Sequence, residues 1–429
     1  MDQVSMTPQE RIEKAIIDSY DYGSIDPEDL AFILSLTPKD AKLAEMVFYA
    51  ARIKRHSLFK NKIALYGFVY LSTHCHNNCS FCNYRASNHA LKRYRKSPSE
   101  ILEVASELTE SGVHLVDLTL GEDEHYLNGK GFEQLLKIID TISSRYRAPV
   151  MISPGVLDLS RLKEAKAAGA SWYALYQETF NRTLFRELRP DQNFSKRLHA
   201  KRLARDVGFH TEDGILVGVG ASTADLVYSV LSMTQGDNLQ MRAMAYVPVP
   251  GGLAPDPNVD PSWQELLVIA CVRLISPHAF IPASLDVDGL AGLGRRLNAG
   301  ANVVTSIVPP SKGFCGVASM DLDIDNSNRS VKTVTETLRE FDLEPFNHES
   351  YSNSYHVYYR REAIEANKFF SRDLPPNEVK MRRKFRTVFK NAFSGLKSFD
   401  FYYETMISAK QILSEFESEI YDDDNQDDN

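Results

Sequence analysis

Cysteine is scarce in this chain, five among 429 residues. So small a number, with an odd count in its one local group and no signal peptide at the start, excludes a disulfide-stapled secreted scaffold. Long apolar runs are missing too, none approaching the ~20 residues that cross a bilayer. An excess of positive charge is also absent: 49 Lys and Arg stand against 57 Asp and Glu, a formal net charge of −8. Nothing global therefore calls for nucleic acid as a partner. The remainder, 43% hydrophobic and 25% charged, is ordinary for an enzyme with one large core and an appendage. The expectation is a cytoplasmic enzyme acting on a small molecule.

Three of the five cysteines fall within eight residues, in the run Cys75-His76-Asn77-Asn78-Cys79-Ser80-Phe81-Cys82, directly after an apolar, strand-like segment. Cysteine thiolates are the usual ligands of [4Fe-4S] clusters, and three ligands in place of four leave one iron open to a group from outside the protein. Zinc is the alternative. A structural zinc takes four protein ligands, and neither Cys271 nor Cys315 has a partner at finger spacing, although His74, His76 or His89 could complete such a set. Cys271 and Cys315 themselves read as small buried hydrophobes.

Along the chain, β-rich runs alternate with amphipathic helix-length stretches. Strands are predicted over 66–72, 113–120, 150–153, 171–176, 209–217, 240–246, 280–285 and 302–306. Helices are predicted over 98–111, 131–146, 159–168, 196–206, 221–234 and 262–276, with two more, 8–20 and 27–36, ahead of the first strand. The helix over 98–111 has explicit signals: Ser97 as N-cap, Pro98 in the first turn and Gly112 beyond the end. Eight such repeats predict an α/β fold, a (β/α)8 TIM-type barrel, with functional residues collected at the C-terminal ends of the strands. Strand alternation turns Asp117 and Thr119 away from Val116, Leu118 and Leu120. If the apolar set faces the helices, Asp117 faces the barrel interior, where it needs a cation or a ligand; an internal ion pair is the alternative to a binding role.

The Cys-x3-Cys-x2-Cys motif, with an aromatic residue before its last cysteine, resembles the signature of the radical S-adenosylmethionine (radical SAM) superfamily. Gly121-Glu122 resembles its glycine-rich strand. Longer runs are similar to the methylornithine synthase branch: 65–70, 117–123, 175–179, Ile281-Pro282-Ala283-Ser284-Leu285-Asp286, and 296–307. This likeness covers roughly the first 345 residues. The maturase of iron-only hydrogenase shares the motif and the barrel but usually has arginine where this chain has Tyr176, which favours the mutase branch.

The resemblance implies a [4Fe-4S] cluster whose open iron chelates S-adenosyl-L-methionine, and an electron that cleaves the sulfonium to a 5'-deoxyadenosyl radical. It implies a carbon-skeleton mutase that rearranges L-lysine to (3R)-3-methyl-D-ornithine by hydrogen abstraction, fragmentation and recombination, supplied by a low-potential electron donor. Carried over residue by residue, Cys75, Cys79 and Cys82 hold the cluster. Gly121, Glu122, Glu178 and Arg197 contact S-adenosyl-L-methionine. Arg242, Ser284, Asp286 and Asp117 contact the amino-acid substrate. A guanidinium forks onto a carboxylate and an aspartate accepts an ammonium, so the charges suit the task. Arg197, on a predicted helix, could instead be a solvated charge.

The domain organisation expected is an N-terminal helical cover over 1–60, the barrel over 61–344, a helical C-terminal extension over 345–421 and an acidic, disordered tail over 422–429. Two segments depart from the branch. Pro248 to Pro257 differs from its loop and is expected over the substrate. Beyond residue 345, Arg360 to Lys390 is basic, with Phe385, Phe389 and Phe393 spaced as the apolar stripe of an amphipathic helix; RNA or an acidic partner is the other reading. The remaining functional alternatives are a paralogous enzyme acting on another amino-acid-like substrate, and a non-catalytic metal-binding protein with a partner-binding C-terminal region.

Overall fold

The computed structural model describes residues 6–318 and 328–354. The chain divides into two compact units, residues 1–367 and 368–429, and every described residue belongs to the first. The basic stretch, its phenylalanines and the acidic tail lie outside the described residues.

Eight parallel strands run in chain order around a barrel: β1 (Lys62–Ser72), β2 (Leu115–Leu120), β3 (Val150–Ser153), β4 (Ala170–Ala174), β5 (His210–Val217), β6 (Gln240–Ala245), β7 (Pro282–Ser284) and β8 (Val303–Ile307). Neighbours pair in the order β6-β5-β4-β3-β2-β1-β8-β7. Between β6 and β7 the seam is narrow: a single parallel bridge joins Gln240 to Phe280, with the Met241 amide donating to the Phe280 carbonyl at 2.9 Å. The barrel is thus nearly closed. β1 is buried at every position after its first, as a strand must be when helices cover one face and other strands' side chains the other.

The crossover helices are α4 (Pro98–Ser111), the short α5 (Glu124–Leu127), α6 (Gly129–Asp140), α7 (Leu159–Ala167), α8 (Arg182–Leu188), α9 (Phe194–Asp206), α10 (Thr223–Thr234), α11 (Pro261–Ile275) and α12 (Leu293–Asn298). α4 has the termini its sequence announces, a reciprocal Ser97–Glu100 capping box and Gly112 at φ 96°. The helix expected over 131–146 is instead α6 followed by a π turn, Thr141–Arg145. Three further helices, α1 (Pro8–Asp21), α2 (Pro27–Leu34) and α3 (Ala41–Phe59), cover the flank of the barrel. Phe48 of α3 meets Trp263 of α11 edge-on, and Lys54 donates to the carbonyls of Ser19 and Leu274.

The N-terminal mouth of the barrel is plugged by aromatic residues. After α13 (Val331–Glu340), strand β9 (Glu344–Pro345) pairs with the start of β1, and the chain then carries Phe346 and Tyr351 under the barrel. The Tyr351 hydroxyl donates to that of Tyr66 at 2.8 Å, and its ring meets those of Tyr66 and Phe280. Trp172 completes the plug, in contact with Tyr66 and Phe280 across the interior. His114 fastens the segment from outside: the Leu65 amide donates to Nδ1, so Nε2 carries the proton and donates to the Phe346 carbonyl at 2.9 Å. Burial keeps this imidazole neutral, with its pKa lowered to about 4.

Candidate active site

The cysteine loop leaves the C-terminal end of β1 and curls against the end of β2. A Cβ at Gly121 would lie 2.6 Å from the His74 carbonyl oxygen and 2.8 Å from the Cys75 Cβ, so only glycine lets the two loops approach this closely. All three cysteines are free thiols. Burial raises the pKa of Cys82, and the neighbouring Cys79 and Cys75 add to the effect, which puts the three sulfurs within one another's electrostatic reach. Each Cys75 and Cys82 thiol also meets backbone amides, those of Asn77 and Glu122 for Cys75 and that of Tyr84 for Cys82, at 3.4 Å. Such amides favour a thiolate. Among the described residues no three His, Cys, Asp or Glu side chains converge tightly enough to hold a single metal ion. His76, one candidate for a zinc ligand, instead faces Glu122 and Glu124 at 3.4 and 3.2 Å. Three spaced sulfurs with amide donors, and no fourth ligand among the described residues, fit a multinuclear cluster with one open iron better than zinc.

Around the cysteine loop the four residues expected to contact S-adenosyl-L-methionine form one connected network. Glu122 lies against Gly155, where a Cβ would sit 2.0 Å from its Cγ, and its Oε1 is 3.5 Å from Arg197 Nη1. Arg197 is buried, so the solvated-charge reading fails, and its Nε donates to the Tyr176 carbonyl at 2.6 Å. Glu178 takes a left-handed backbone conformation, φ 66°, and pairs with Arg189 at 2.6 Å. Behind that turn, a buried Lys201–Asp213 ion pair lets Asp213 Oδ1 accept the Gln177 amide at 2.9 Å. Arg189 and Gln192 escaped the sequence reading; both reach the Cys79 sulfur, more than a hundred residues distant in the chain.

Deeper in the barrel lies a second group. Arg242 of β6 donates through Nε to Glu212 of β5 at 2.8 Å and through Nη1 to Thr305 of β8 at 3.1 Å. Because β7 stands between β6 and β8, the second bond crosses the interior. Tyr176 packs its ring 5.4 Å from the Arg242 guanidinium and donates to Glu212 at 3.0 Å. Asp117 accepts Ser153 Oγ at 2.7 Å. Burial raises its pKa to about 7, with the Ser153 hydroxyl lowering it and Glu212 raising it further. Three buried atoms here have no hydrogen-bond partner among the described residues, Asp117 Oδ2, Thr119 Oγ1 and Arg242 Nη2.

Asp286, just beyond β7, accepts Tyr70 at 2.9 Å, Ser306 at 2.9 Å and Arg329 Nη1 at 2.9 Å, while its amide donates to Ser284 Oγ at 3.3 Å. The cation on Asp286 in this structure therefore comes from the protein. Segment 248–257 docks on the cysteine loop: the Leu253 amide donates to the Ser80 carbonyl at 2.8 Å, and Arg85 donates to the Pro250 carbonyl.

The Radical SAM superfamily pattern matches residues 69–230. The chain is 37% identical over 336 residues to the 3-methylornithine synthase of Methanosarcina acetivorans, covering 78% of this chain and 94% of that one. The chain belongs to the radical SAM superfamily, in its methylornithine synthase family. A second relative, the 3-methylornithine synthase of Methanosarcina barkeri, is 38% identical over 343 residues, 78% of this chain and 96% of its own. In solved structures, methylornithine synthase (PylB) superposes with a TM-score of 0.71 at 35% identity, covering 80% of this chain and 99% of that one.

Proposed function

We propose that this radical SAM enzyme rearranges L-lysine to (3R)-3-methyl-D-ornithine in pyrrolysine biosynthesis. The observation that carries the substrate reading is a pair of these unpartnered buried atoms, Asp117 Oδ2 and Arg242 Nη2. One is a cationic donor and the other a carboxylate acceptor, and they line the same interior, as the carboxylate and an ammonium of an amino acid require. Once a substrate ammonium holds Asp117 ionised, three carboxylates, Asp117, Glu212 and Asp286, stand against two guanidiniums, Arg242 and Arg329. One negative charge is left over, which suits a substrate with one net positive charge.

Cys75, Cys79 and Cys82 would hold a [4Fe-4S] cluster, and with S-adenosyl-L-methionine that cluster supplies a 5'-deoxyadenosyl radical. Glu122, Glu178 and Arg197 would orient the cofactor, and Gly121 would let it approach the cysteine loop. Arg242 would clamp the substrate carboxylate while Glu212 and Tyr176 fix the guanidinium plane. Asp117, Ser284 and Asp286 would take the ammonium groups. The aromatic plug keeps water from entering at the far end, which protects a radical from quenching. The enzyme would work in the cytoplasm with a low-potential electron donor.

The test is anaerobic reconstitution, reduction and incubation with S-adenosyl-L-methionine and L-lysine, followed by mass and chiral analysis. A lysine isomer with the retention of methylornithine is the expected product. A second reading rests on Arg329: with Asp286 already bearing a guanidinium, a substrate lacking the distal ammonium also fits. Deoxyadenosine formed without a lysine isomer would favour that reading.

A further inference from the structure

The three sulfurs of the cysteine loop differ in who donates to them. Cys75 and Cys82 receive backbone amides. Cys79, the most enclosed of the three, receives two side chains: Gln192 Nε2 at 3.0 Å and Arg189 Nη1 at 3.4 Å. Both come from the connection between α8 and α9, where Pro190 and a left-handed Asp191, φ 64°, make a turn closed by the Gln192 amide on the Arg189 carbonyl at 3.2 Å.

Neither donor is free to point elsewhere. Gln192 Oε1 accepts from Arg189 at 3.3 Å and lies 3.5 Å from Arg197 Nη1. With two guanidiniums on its oxygen, the amide must present its NH2 to the sulfur. Arg189 is buried; Glu178 holds its Nη2 at 2.6 Å, and its guanidinium packs 5.1 Å from the Phe81 ring, which leaves Nη1 toward Cys79. Because Glu178 neutralises the arginine charge, the pair acts on the sulfur mainly through oriented N–H groups.

From this asymmetry we propose that Arg189 and Gln192 are positioning residues that set the reduction potential of the cluster through Cys79. The inference rests on the cluster assignment above but not on the identity of the substrate. Hydrogen bonds to cluster sulfurs stabilise the electron-rich reduced state and so raise its potential. Two side-chain donors on one ligand make the one-electron reduction easier for an external low-potential donor.

The measurement is a redox titration monitored by electron paramagnetic resonance on the reconstituted full chain and on three variants. Gln192→Leu removes one donor and should move the midpoint to a more negative potential. Gln192→Glu keeps the shape but turns a carboxylate toward the sulfur, and should move it further the same way. Arg189→Gln should also lower it. Midpoints equal to the parent's in all three, at equal iron content, overturn the proposal. Failure of all three to retain the cluster also overturns it, because the residues would then serve assembly and not potential. A parent chain that binds zinc, or no cluster, instead defeats the cluster assignment itself, whereas deoxyadenosine without a lysine isomer defeats only the substrate.

Discussion

Asp117 is the residue whose environment is hardest to sustain without a ligand. Its side chain is buried, and burial together with the nearby Glu212 carboxylate outweighs the Ser153 and Thr119 hydroxyls and the Arg242 guanidinium, so its pKa rises to about 7. Between the unfolded value near 4 and this folded value, the native state holds a proton that the unfolded chain has lost, so stability falls as pH rises through that window and levels off above about 7. Asp117→Asn should therefore gain stability relative to the parent from pH 4 to pH 7, by up to a few kcal/mol, read as denaturation midpoints across that range. The same variant should lose activity mainly through a raised KM for the amino acid. An unchanged pH slope would show that another group titrates. Arg242→Lys keeps the charge but loses the fork onto Glu212 and Thr305, and turnover should fall by about 10²-fold or more.

Strand alternation marked Asp117 as inward-facing from the sequence, and that much was legible. It could not do the same for Glu212. Glu212 and Asp213 are adjacent charges in one strand, one turned to Arg242 and the other to Lys201. Which of them faces inward depends on register with β4 and β6, which no local pattern states.

At the scale of elements, the eight strands and most crossover helices could be read because each has its own period and punctuation. Helix α3 could not. Residues 41–59 bury Lys54 and Arg55 alongside their apolar neighbours, and those charges make sense only once the carbonyls of Ser19, Leu274 and Leu297 are seen to receive them. α8 is too short to announce itself, and with it went Arg189. The contact of the cysteine loop with β2 is an element-level feature that one methyl group probes. Gly121→Ala should push the loop off the Cys75 side, so that the variant folds with the parent's circular dichroism but takes up less iron on reconstitution. Retention of a full cluster in that variant would mean the two loops can separate at no cost.

Across the whole molecule, stability and enclosure meet in the segment after α13. Tyr351 contacts Tyr66, Phe280, Phe346 and His114, and its hydroxyl is paired. Tyr351→Ala should cost about 3–5 kcal/mol, seen as a lower denaturation midpoint. Water admitted under the barrel should then let deoxyadenosine form in excess of rearranged amino acid. A variant as stable and as tightly coupled as the parent would show that the plug is dispensable. The sequence reading expected the end of the barrel near residue 344, and the structure carries the packed chain on through Tyr351, because β9 pairs with β1 and its aromatics pack on Tyr66, Phe280 and His114.

A chamber stoppered at one end also dictates traffic. Asp117 lies four residues before Gly121, roughly 13 Å along the chain, so a guest held by Asp117 and Arg242 would lie inward of whatever the three sulfurs hold. The inner guest must arrive first and depart last. Steady-state kinetics should accordingly be compulsory-order, with the nucleotide unable to leave room for its own partner once it has docked.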